Sequence, residues 1–366
     1  MSHTPHVVLV GGGHAHLQVI RGASALRAEG ARVSVICPRH FWYSGLATAV
    51  LSGSHEPADD CIDIADLAQR RGVDWIDSTV TAIAVADRSL TLADGSTLSW
   101  DRLSLNVGSE VALPGTPAAD DRILPVKPIA NVAALRARLE GQANGTAPRI
   151  LVIGGGPTGC EVTANLATLC TRVAPDARIT LAHHGERLLP AAPAGAGRHI
   201  EASLRHRGVH MRHGASLTIT DAGKMRIDGE PPAADILVPA TGLRAVELAR
   251  SLAIDGTDGV PVTAALHHPA HPEVFAAGDC AHFLPRPLPK VGVFGVRQGP
   301  ILLHNLAASL ARRPLRPFQP QRRYLTILNL GNGTGLALRG GWWWHGRMML
   351  RLKHFLDHRF LVTHRC

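Results

Sequence analysis

Cysteines are few in this chain, and their spacing argues against a disulfide-rich protein and against a structural zinc protein. The six cysteines stand at positions 37, 61, 160, 170, 280 and 366, and they form no CxxC pair and no zinc-type cluster. A disulfide framework or a structural zinc site needs paired cysteines at short, regular spacing. We therefore predict no metal site and a reducing compartment, with the cytoplasm as the default location.

Long apolar runs are also absent, although hydrophobic residues make up 45% of the sequence. The N-terminus, MSHTPHVVLV, lacks the basic region and apolar core of a signal peptide. No window holds the roughly 18 uninterrupted apolar residues that a spanning helix requires. If the protein meets a membrane, we expect it to lie on the surface.

Lysine is scarce, because only Lys127, Lys224, Lys290 and Lys353 are lysines and arginine supplies the rest of the positive charge. The formal net charge is +9. No basic run is interleaved with aromatic residues, so nucleic acid is not a predicted partner. A surface that binds anionic lipid or an anionic nucleotide fits this charge better.

What the chain does contain is a glycine-rich turn close to its N-terminus. Residues 7–16, VVLVGGGHAH, are typical of a buried parallel strand, a tight turn and the start of a helix. Glycines in such a turn let the pyrophosphate of a dinucleotide approach the backbone, where free N–H groups of the helix bind it. Gly11 and Gly13 fit the GxGxxG fingerprint, whereas His16 stands in place of the third glycine.

A second copy follows at residues 150–161, ILVIGGGPTGCE, in which Gly154, Gly156 and Gly159 match the fingerprint in full. The first glycines of the two copies lie 143 positions apart (154 − 11). We therefore predict an α/β protein with two Rossmann-like dinucleotide-binding domains, each with three layers (ββα/βα), and a C-terminal tail region. The alternative is two ordinary glycine turns between a strand and a helix.

Both units lack the acid that usually ends the second strand and binds the ribose. Cys37 occupies that position in the first unit and His183 in the second. Arg39 could lie near a phosphate or ribose instead, or be a solvated loop arginine. With His183 and Arg187 in this segment, the carboxylate that would repel the 2′-phosphate of NADPH is missing, so the sequence permits NADPH. The alternative is that these two residues belong to a positively charged surface without that role.

Two other segments could bring their backbone close to a bound cofactor. Residues 41–53, FWYSGLATAVLSG, could line a flavin ring or form a core helix with glycine caps. A buried strand over 101–106 leads to Gly108, where the chain could pass close to a dinucleotide. Helices are predicted over 17–29 and, after PKVGVFGVRQG, over 300–310.

Together these motifs resemble the pyridine nucleotide–disulfide oxidoreductase superfamily. In that family the first unit binds FAD, the second binds NADH or NADPH, and the chain returns to complete the FAD domain at a GD motif, here Gly278-Asp279. The sequence is most similar to type II NADH dehydrogenases, and especially to the flavoprotein sometimes fused ahead of selenophosphate synthase. The stretches that carry this likeness are GGGHAHLQVIR, YSGLATAVLSG, the ID…LA.R pattern at 62–70 and PLPKVGVFGVRQGP.

The resemblance implies two sets of cofactor-binding residues. The FAD set is Gly11, Gly12, Gly13, His14, Ala15, Arg39, Ser44, Gly45, Val80, Asn106, Gly108, Gly278, Asp279, Lys290, Val291, Gly292 and Val293, with Asp279 expected to bond the ribityl chain. The nicotinamide nucleotide set is Gly154, Gly156, Pro157, Thr158, Gly159, His183, Arg187, Thr241 and Gly242. Glu161 resembles the family's catalytic glutamate near nicotinamide and flavin; its alternative role is a helix N-terminal acid stabilised by the dipole.

The same resemblance gives the predicted domains and activity. Residues 1–125 and 256–310 would form a discontinuous FAD domain, 148–255 the NAD(P)H domain and 311–366 a C-terminal region. The implied enzyme is an FAD-dependent oxidoreductase that oxidises NAD(P)H and passes electrons to a quinone-like acceptor. Alternatives are a reductase acting on sulfide or another sulfur species, and a flavin-containing redox partner or sensor with little nicotinamide turnover.

The tail, GWWWHGRMMLRLKHFLDHRFL, shows helical amphipathic spacing. Its apolar positions are Met348, Leu352, Phe355, Leu356 and Phe360, and its basic positions are Arg347, Arg351, His354, His358 and Arg359. This pattern predicts a helix in a membrane interface, anchored by the tryptophans at 342–344. Type II dehydrogenases also dock on membranes through this region, which would place the protein on the inner face of the cell membrane. The alternative is a helix packed on the body or on a second subunit of a homodimer.

Overall fold

The first glycine turn follows the carboxyl end of the central strand of a five-stranded parallel sheet. The computed structural model describes residues 3–141 and 147–365. The strand order of this sheet is β19 (Val274–Ala276), β9 (Arg102–Leu105), β1 (His6–Val10), β2 (Arg32–Ile36) and β5 (Asp74–Ile76). The central strand is buried along its whole length, as its sequence HVVLV predicts. The strands of this half of the chain are β1 (His6–Val10), β2 (Arg32–Ile36), β3 (His40–Trp42), β4 (Cys61–Asp63), β5 (Asp74–Ile76), β6 (Val80–Ala84), β7 (Ser89–Leu92), β8 (Thr97–Ser99), β9 (Arg102–Leu105) and β10 (Ser109–Val111).

The second glycine turn belongs to a parallel sheet of order β13-β12-β11-β16. The remaining strands are β11 (Arg149–Ile153), β12 (Arg178–Ala182), β13 (His210–Arg212), β14 (Leu217–Ile219), β15 (Met225–Ile227), β16 (Ile236–Pro239), β17 (Leu243–Ala245), β18 (Val260–Val262), β19 (Val274–Ala276), β20 (Ala281–Phe283), β21 (Thr326–Asn329), β22 (Gly335–Arg339) and β23 (Trp342–Gly346). Two parallel sheets with helices against them confirm the predicted α/β class with two Rossmann-like units.

A helix follows each glycine turn, and others cover the sheets. The helices are α1 (His14–Arg21), α2 (Ser24–Ala28), α3 (Ala47–Ser52), α4 (Ile64–Arg71), α5 (Ala130–Gly141), α6 (Pro157–Val173), α7 (Ala194–His206), α8 (Glu247–Arg250), α9 (Gly292–Leu310) and α10 (Arg347–Arg365). The proline that opens α6 is favoured there, because the first helical N–H has no partner within the helix.

Two predicted helices have different limits in the structure. The helix expected over 17–29 is divided into α1 and α2 around Gly22, where an added Cβ would lie 2.2 Å from Leu303 Cδ2 on α9. The helix expected to start at Pro300 begins at Gly292 instead. Proline lacks the N–H that would bond the Val296 carbonyl, and the Gln18 side-chain amide donates to that oxygen at 2.5 Å. The missing helical bond is thus replaced from α1.

The tail joins the two units. Strands β21, β22 and β23 form an antiparallel sheet, and its residues Leu328 and Leu336 belong to the apolar core of the second unit. Helix α10 places Leu361 in the core of the first unit. The tryptophans at 342–344 lie on β23 and not on a helix, since they pair with β22. Within the described ranges, no helix combines the length and apolar character needed to cross a bilayer.

We predict that Gly159→Ala destabilises the second unit. An added Cβ at Gly159 would lie 1.8 Å from the Gly154 backbone oxygen, so α6 would have to move away from the turn. We expect the free energy of unfolding to fall by about 1–3 kcal/mol, as for other overpacked sites. Thermal unfolding followed by circular dichroism measures this.

Gly156→Ala is the matched control, because nothing lies within 4 Å of its added Cβ and its φ of −78° suits alanine. It should change the unfolding free energy by less than about 1 kcal/mol. Equal melting temperatures for the two variants would contradict the close packing of α6 on the turn.

Candidate active site

A cleft of about 800 Å³ lies between the two units. Its walls come from the first glycine turn, the segment around Tyr43, the start of α6, the GD segment and α10. Elements far apart in the sequence therefore meet at one place, which is typical of a site between domains.

Asn106, at the end of β9, organises the first glycine turn. Its side-chain oxygen accepts hydrogen bonds from the backbone N–H groups of Ala15 (2.9 Å) and His16 (3.2 Å), and so caps α1. Its side-chain nitrogen donates to the Ala277 carbonyl at 2.6 Å. An added Cβ at Gly11 would lie 2.6 Å from the Asn106 backbone oxygen, and the φ of Gly11 is +88°. The turn can therefore be built only from glycine at this position.

Asp279 of the GD motif lies in a basic part of the cleft. Its carboxylate accepts from Lys127 Nζ at 2.8 Å and from Ser109 Oγ at 2.7 Å. Burial acts to raise the pKa of Asp279, but Lys127 and these hydrogen bonds outweigh it and hold the pKa below its ordinary value. Lys290 donates to the Asp279 carbonyl at 2.6 Å. The carboxylate is therefore held ionised and in place.

Glu161 lies where the two units and the tail meet. Its Oε1 accepts from Thr48 Oγ1 at 3.0 Å and from the Asn329 N–H at 2.8 Å. Burial raises the pKa of this carboxyl, partly offset by Lys353 and by the two hydrogen bonds. A buried acid with a raised pKa in a cleft is a candidate for proton transfer.

Helix α10 closes one side of the cleft through a polar pair. Asp357 is only 5% exposed and accepts from Tyr43 O–H at 2.9 Å and from Lys353 Nζ at 3.0 Å. Lys353 also donates to the Gly45 carbonyl at 2.6 Å. The ring of Phe360 stacks on Tyr43 with centroids 4.5 Å apart. The tail helix is therefore part of the site.

His14 lies among aromatic rings at the start of α1. The rings of Phe41 and Phe360 lie 5.0 Å and 5.4 Å from it, centroid to centroid. Burial lowers the pKa of His14 to about 4, so the ring is neutral near pH 7. Two residues further along α1, His16 stands in place of the third glycine of the fingerprint. Its ring forms hydrogen bonds with the Gly11 carbonyl (2.6 Å) and with Ser104 Oγ (2.8 Å).

The structure brings many of the predicted residues together at the cleft. Those that line it are Gly13, His14, Ser44, Gly45, Asn106, Gly108, Pro157, Thr158, Glu161, Gly278, Asp279, Lys290, Val291, Gly292 and Val293. Gly11 and Gly12 lie in the turn behind it, and Ala15 lies at the start of α1. In the second unit Gly154 and Gly156 lie in the turn, and Gly159 lies at the start of α6.

Other predicted residues lie elsewhere. Arg39 is exposed and paired with Asp63 at 2.9 Å, and Val80 is buried at the start of β6. Thr241 Oγ1 donates to the Ala112 carbonyl at 2.7 Å, and the Gly242 carbonyl accepts from Ala112 N–H, so this pair connects the units.

The two residues predicted to face a 2′-phosphate are engaged with the protein. His183 is 3% exposed, and a Cβ added at Gly155 would lie 2.8 Å from its ring. Burial, followed by His213, lowers its pKa, so it carries no charge near pH 7. Arg187 donates to the carbonyls of Leu189 (3.2 Å), Pro190 (2.6 Å) and Ala192 (3.0 Å). His183 therefore brings no charge to this position, and three of the hydrogen bonds that Arg187 can donate are used by backbone carbonyls.

Sequence reasoning missed three residues of the cleft, Lys127, Lys353 and Asp357, and it proposed the segment 41–53 for the flavin ring without singling out Tyr43. A signal was present in the composition: three of the four lysines, Lys127, Lys290 and Lys353, line this cleft. In a chain whose positive charge is almost all arginine, the rare compact ammonium groups mark the site.

The fold and the cleft define a class of protein in which two dinucleotide-binding units open onto one shared cleft. The comparison with known families agrees: residues 5–305 match the pyridine nucleotide-disulphide oxidoreductase profile, and the chain belongs to this family. Its resemblance to NADH dehydrogenase-like members is confirmed, as are the predicted cofactors FAD and NAD(H). The glycine cradle, the helix N-terminus above it and the held carboxylate of Asp279 fit FAD.

Three similar proteins illustrate the range of the family. An NADH dehydrogenase-like protein of Mycobacterium tuberculosis is 31% identical over 60% of this chain and 58% of its own length, so the chain spans little more than half of that relative. Demethylphylloquinone reductase of Synechocystis is 24% identical over 92% of this chain and 88% of its own. The structure of NDH2 from Plasmodium falciparum in complex with NADH, 13% identical, covers 99% of this chain and 98% of that one with a TM-score of 0.79. The last likeness shows the common fold.

Asp60 should make stability depend on pH. It is 2% exposed, and one of its carboxyl oxygens has no hydrogen-bond partner among the described residues. Burial, followed by the negative charge of Asp357, raises the pKa of Asp60 to about 8. Lys353 and Arg365 act in the opposite direction but do not outweigh these two effects. Between about pH 4 and 8 the unfolded chain releases this proton while the folded protein keeps it, so stability falls as pH rises. Asp60→Asn removes this dependence and should stabilise by on the order of 3 kcal/mol at pH 8 and little at pH 4.

Calorimetric melting of both proteins across this pH range measures the effect. Asp255→Asn, at an exposed position, is the matched control and should change neither the stability nor its pH dependence. A gain from Asp60→Asn that is as large at pH 4 as at pH 8 would show that Asp60 does not stay protonated in the folded protein.

Proposed function

We propose that this chain oxidises NADH through bound FAD and transfers the electrons to a quinone-like acceptor. The observation that carries this proposal is the shared cleft: α6 presents Pro157, Thr158 and Glu161 to the same space that holds Asp279 and the first glycine turn. A nicotinamide bound by the second unit would therefore meet a flavin bound by the first.

The chain's own residues supply binding and orientation. We propose that residues 1–125 with 256–310 hold FAD, through the glycine turn, Asn106 and Asp279, and that 148–255 hold the nicotinamide nucleotide. When bound, the flavin supplies two-electron chemistry. Glu161, buried and with a raised pKa, is placed to hold or release a proton beside the reacting groups.

NADH is the donor we propose, for two reasons. The residue directly after β12 is His183 and not an acid, so NADPH is permitted there. His183 is neutral, however, and Arg187 uses hydrogen-bond donors on backbone carbonyls, so neither is poised to bond a 2′-phosphate. The names of the Mycobacterium relative and of the Plasmodium structure also refer to NADH. The Synechocystis relative, named as a quinone reductase, supports a quinone-like acceptor.

A reductase of sulfur species is the weaker proposal because of the state of the cysteines. Burial raises the pKa of Cys160 to about 12 and that of Cys280 to about 11, and thiols of this kind are poor nucleophiles. None of the described residues that line the cleft is a cysteine.

Anaerobic mixing of the FAD-loaded protein with NADH should bleach the flavin absorbance band. We expect NADPH to act more slowly, because His183 is neutral and Arg187 uses its donors on backbone carbonyls. We expect sulfide to leave the band unchanged, because none of the described residues of the cleft is a cysteine. Stopped-flow absorbance measures the three rates, and addition of a water-soluble quinone should restore the band. Bleaching by neither nucleotide would remove the dehydrogenase proposal and leave the redox partner or sensor.

We further propose that α10 meets a lipid surface. Its inner side holds Lys353 and Asp357 in the cleft, whereas Met348 is 67% and Phe355 is 62% exposed on the outer side, flanked by exposed Arg351 and Arg359. Apolar side chains between arginines are typical of a helix in a membrane interface. Trp342, 68% exposed on β23, lies on the same tail.

Met348→Ser with Phe355→Ser should weaken binding to vesicles that contain phosphatidylglycerol. Each side chain would lose burial in the interface, and we expect a roughly tenfold or greater loss of partitioning. Co-sedimentation measures it, with FAD content showing that the inner side of α10 is intact. Ile254→Ser, another exposed apolar residue at 46%, is the matched control and should bind as the wild type does. Unchanged binding by the double variant would remove the lipid proposal.

A further inference from the structure

The position after β2, where dinucleotide units usually carry a ribose-binding acid, is occupied by a thiol. The sulfur of Cys37 faces the glycine turn, since a Cβ added at Gly12 would lie 3.3 Å from it. Cys37 is 2% exposed, and burial raises the pKa of its thiol to about 12. A neutral thiol is a weak hydrogen-bond acceptor, so it cannot replace a carboxylate toward the two ribose hydroxyls.

The neighbouring strand ends in an acid at the same edge of the sheet. Strands β2 and β5 run parallel with Ile36 opposite Ile76, and the Cys37 N–H donates to the Ile76 carbonyl at 3.2 Å. Asp77 follows Ile76 directly, so it leaves the sheet one strand beyond Cys37. After burial, its negative charge is a further cause of the raised pKa of the Cys37 thiol.

A cavity of about 520 Å³ opens at this edge. Its lining includes Pro38, Ile76, Asp77, Ser78, Leu92 and Asp94. The apolar members suit a nucleobase and the polar members suit a ribose, which is the chemistry of an adenosine.

Of the two acids that line this cavity, only one is free. Asp94 Oδ1 accepts from the Ser96 N–H at 2.9 Å and from Ser96 Oγ at 2.6 Å, and so closes its own hairpin turn. The Asp77 side chain is exposed and has no hydrogen bond or ion pair within the described part of the chain. An unused carboxylate beside a cavity is the group that a pair of ribose hydroxyls requires.

We propose that Asp77 binds the adenosine ribose of FAD, in place of the acid that is missing after β2, and that this cavity holds the adenosine end of the cofactor. The proposal rests on FAD binding by the first unit and is independent of the electron donor and acceptor. It differs from the usual arrangement in the strand that supplies the acid, β5 in place of β2.

The test is FAD retention by the full-length holoprotein. Asp77→Asn should weaken FAD binding by roughly 10- to 100-fold, the effect of losing hydrogen bonds to a charged group, measured from the rise in flavin fluorescence on dilution. FMN, which lacks the adenosine, should bind the variant and the wild type equally. Asp94→Asn is the matched control from the same cavity and should retain FAD as the wild type does.

The outcomes separate this proposal from the function proposed above. A wild-type protein that retains no FAD would end both. Wild-type FAD affinity in Asp77→Asn, an equal loss in Asp94→Asn, or an equal loss for FMN would each overturn the role of Asp77 alone. Because the Asp77 side chain is exposed and makes no hydrogen bond or ion pair within the described fold, the variant should melt at the wild-type temperature. If it does not, Asp77→Ser, which also removes the carboxylate, is tested in the same way.

Discussion

One side-chain amide, that of Asn106, determines the shape of the cofactor cleft. It caps α1 and bonds the carbonyl before the GD segment, so the end of β9 is tied to both of the segments that flank it. Cβ atoms added at Gly13 and Gly278 would lie 2.4 Å and 2.6 Å from atoms of this amide. The glycines of the turn and of the GD motif are thus required by the same neighbour, because the amide leaves no room for any side chain.

In the two units, the helix packs against the glycine turn in different ways. In the second turn, α6 lies so close to Gly154, the residue after β11, that the hydrogen of Gly159 is all that fits. In the first turn, His16 occupies the equivalent place, and its ring bonds Gly11 on one side and Ser104 on the other. A polar ring that spans the gap replaces close packing there, with its pKa lowered by burial to about 4 so that it is buried without charge.

The sequence predicts well what depends on neighbours along the chain, and poorly what depends on distant ones. Periodicity and glycine spacing predicted β1, β11 and the helices after them, because turn and strand patterns are local. The contact of Tyr43 with Asp357 joins residues 314 positions apart, and no local pattern indicates it. Pro300 misled for the same reason: the side chain that compensates for its missing N–H, Gln18, lies 278 positions away from the carbonyl it bonds.

The tail helix has to satisfy two environments at once, and its sequence explains how. Positions that face the cleft are Lys353, Asp357 and Phe360, which are tied to the first unit by hydrogen bonds with Gly45 and Tyr43 and by a ring stack on Tyr43. Positions on the outer side are apolar and exposed. Helical spacing separates these two sets, so a surface that contacts the outer side acts on the same rigid element that forms the wall of the cleft. Because Lys353 and Asp357 join α10 to the segment around Tyr43, removing this helix would also remove one wall of the cleft.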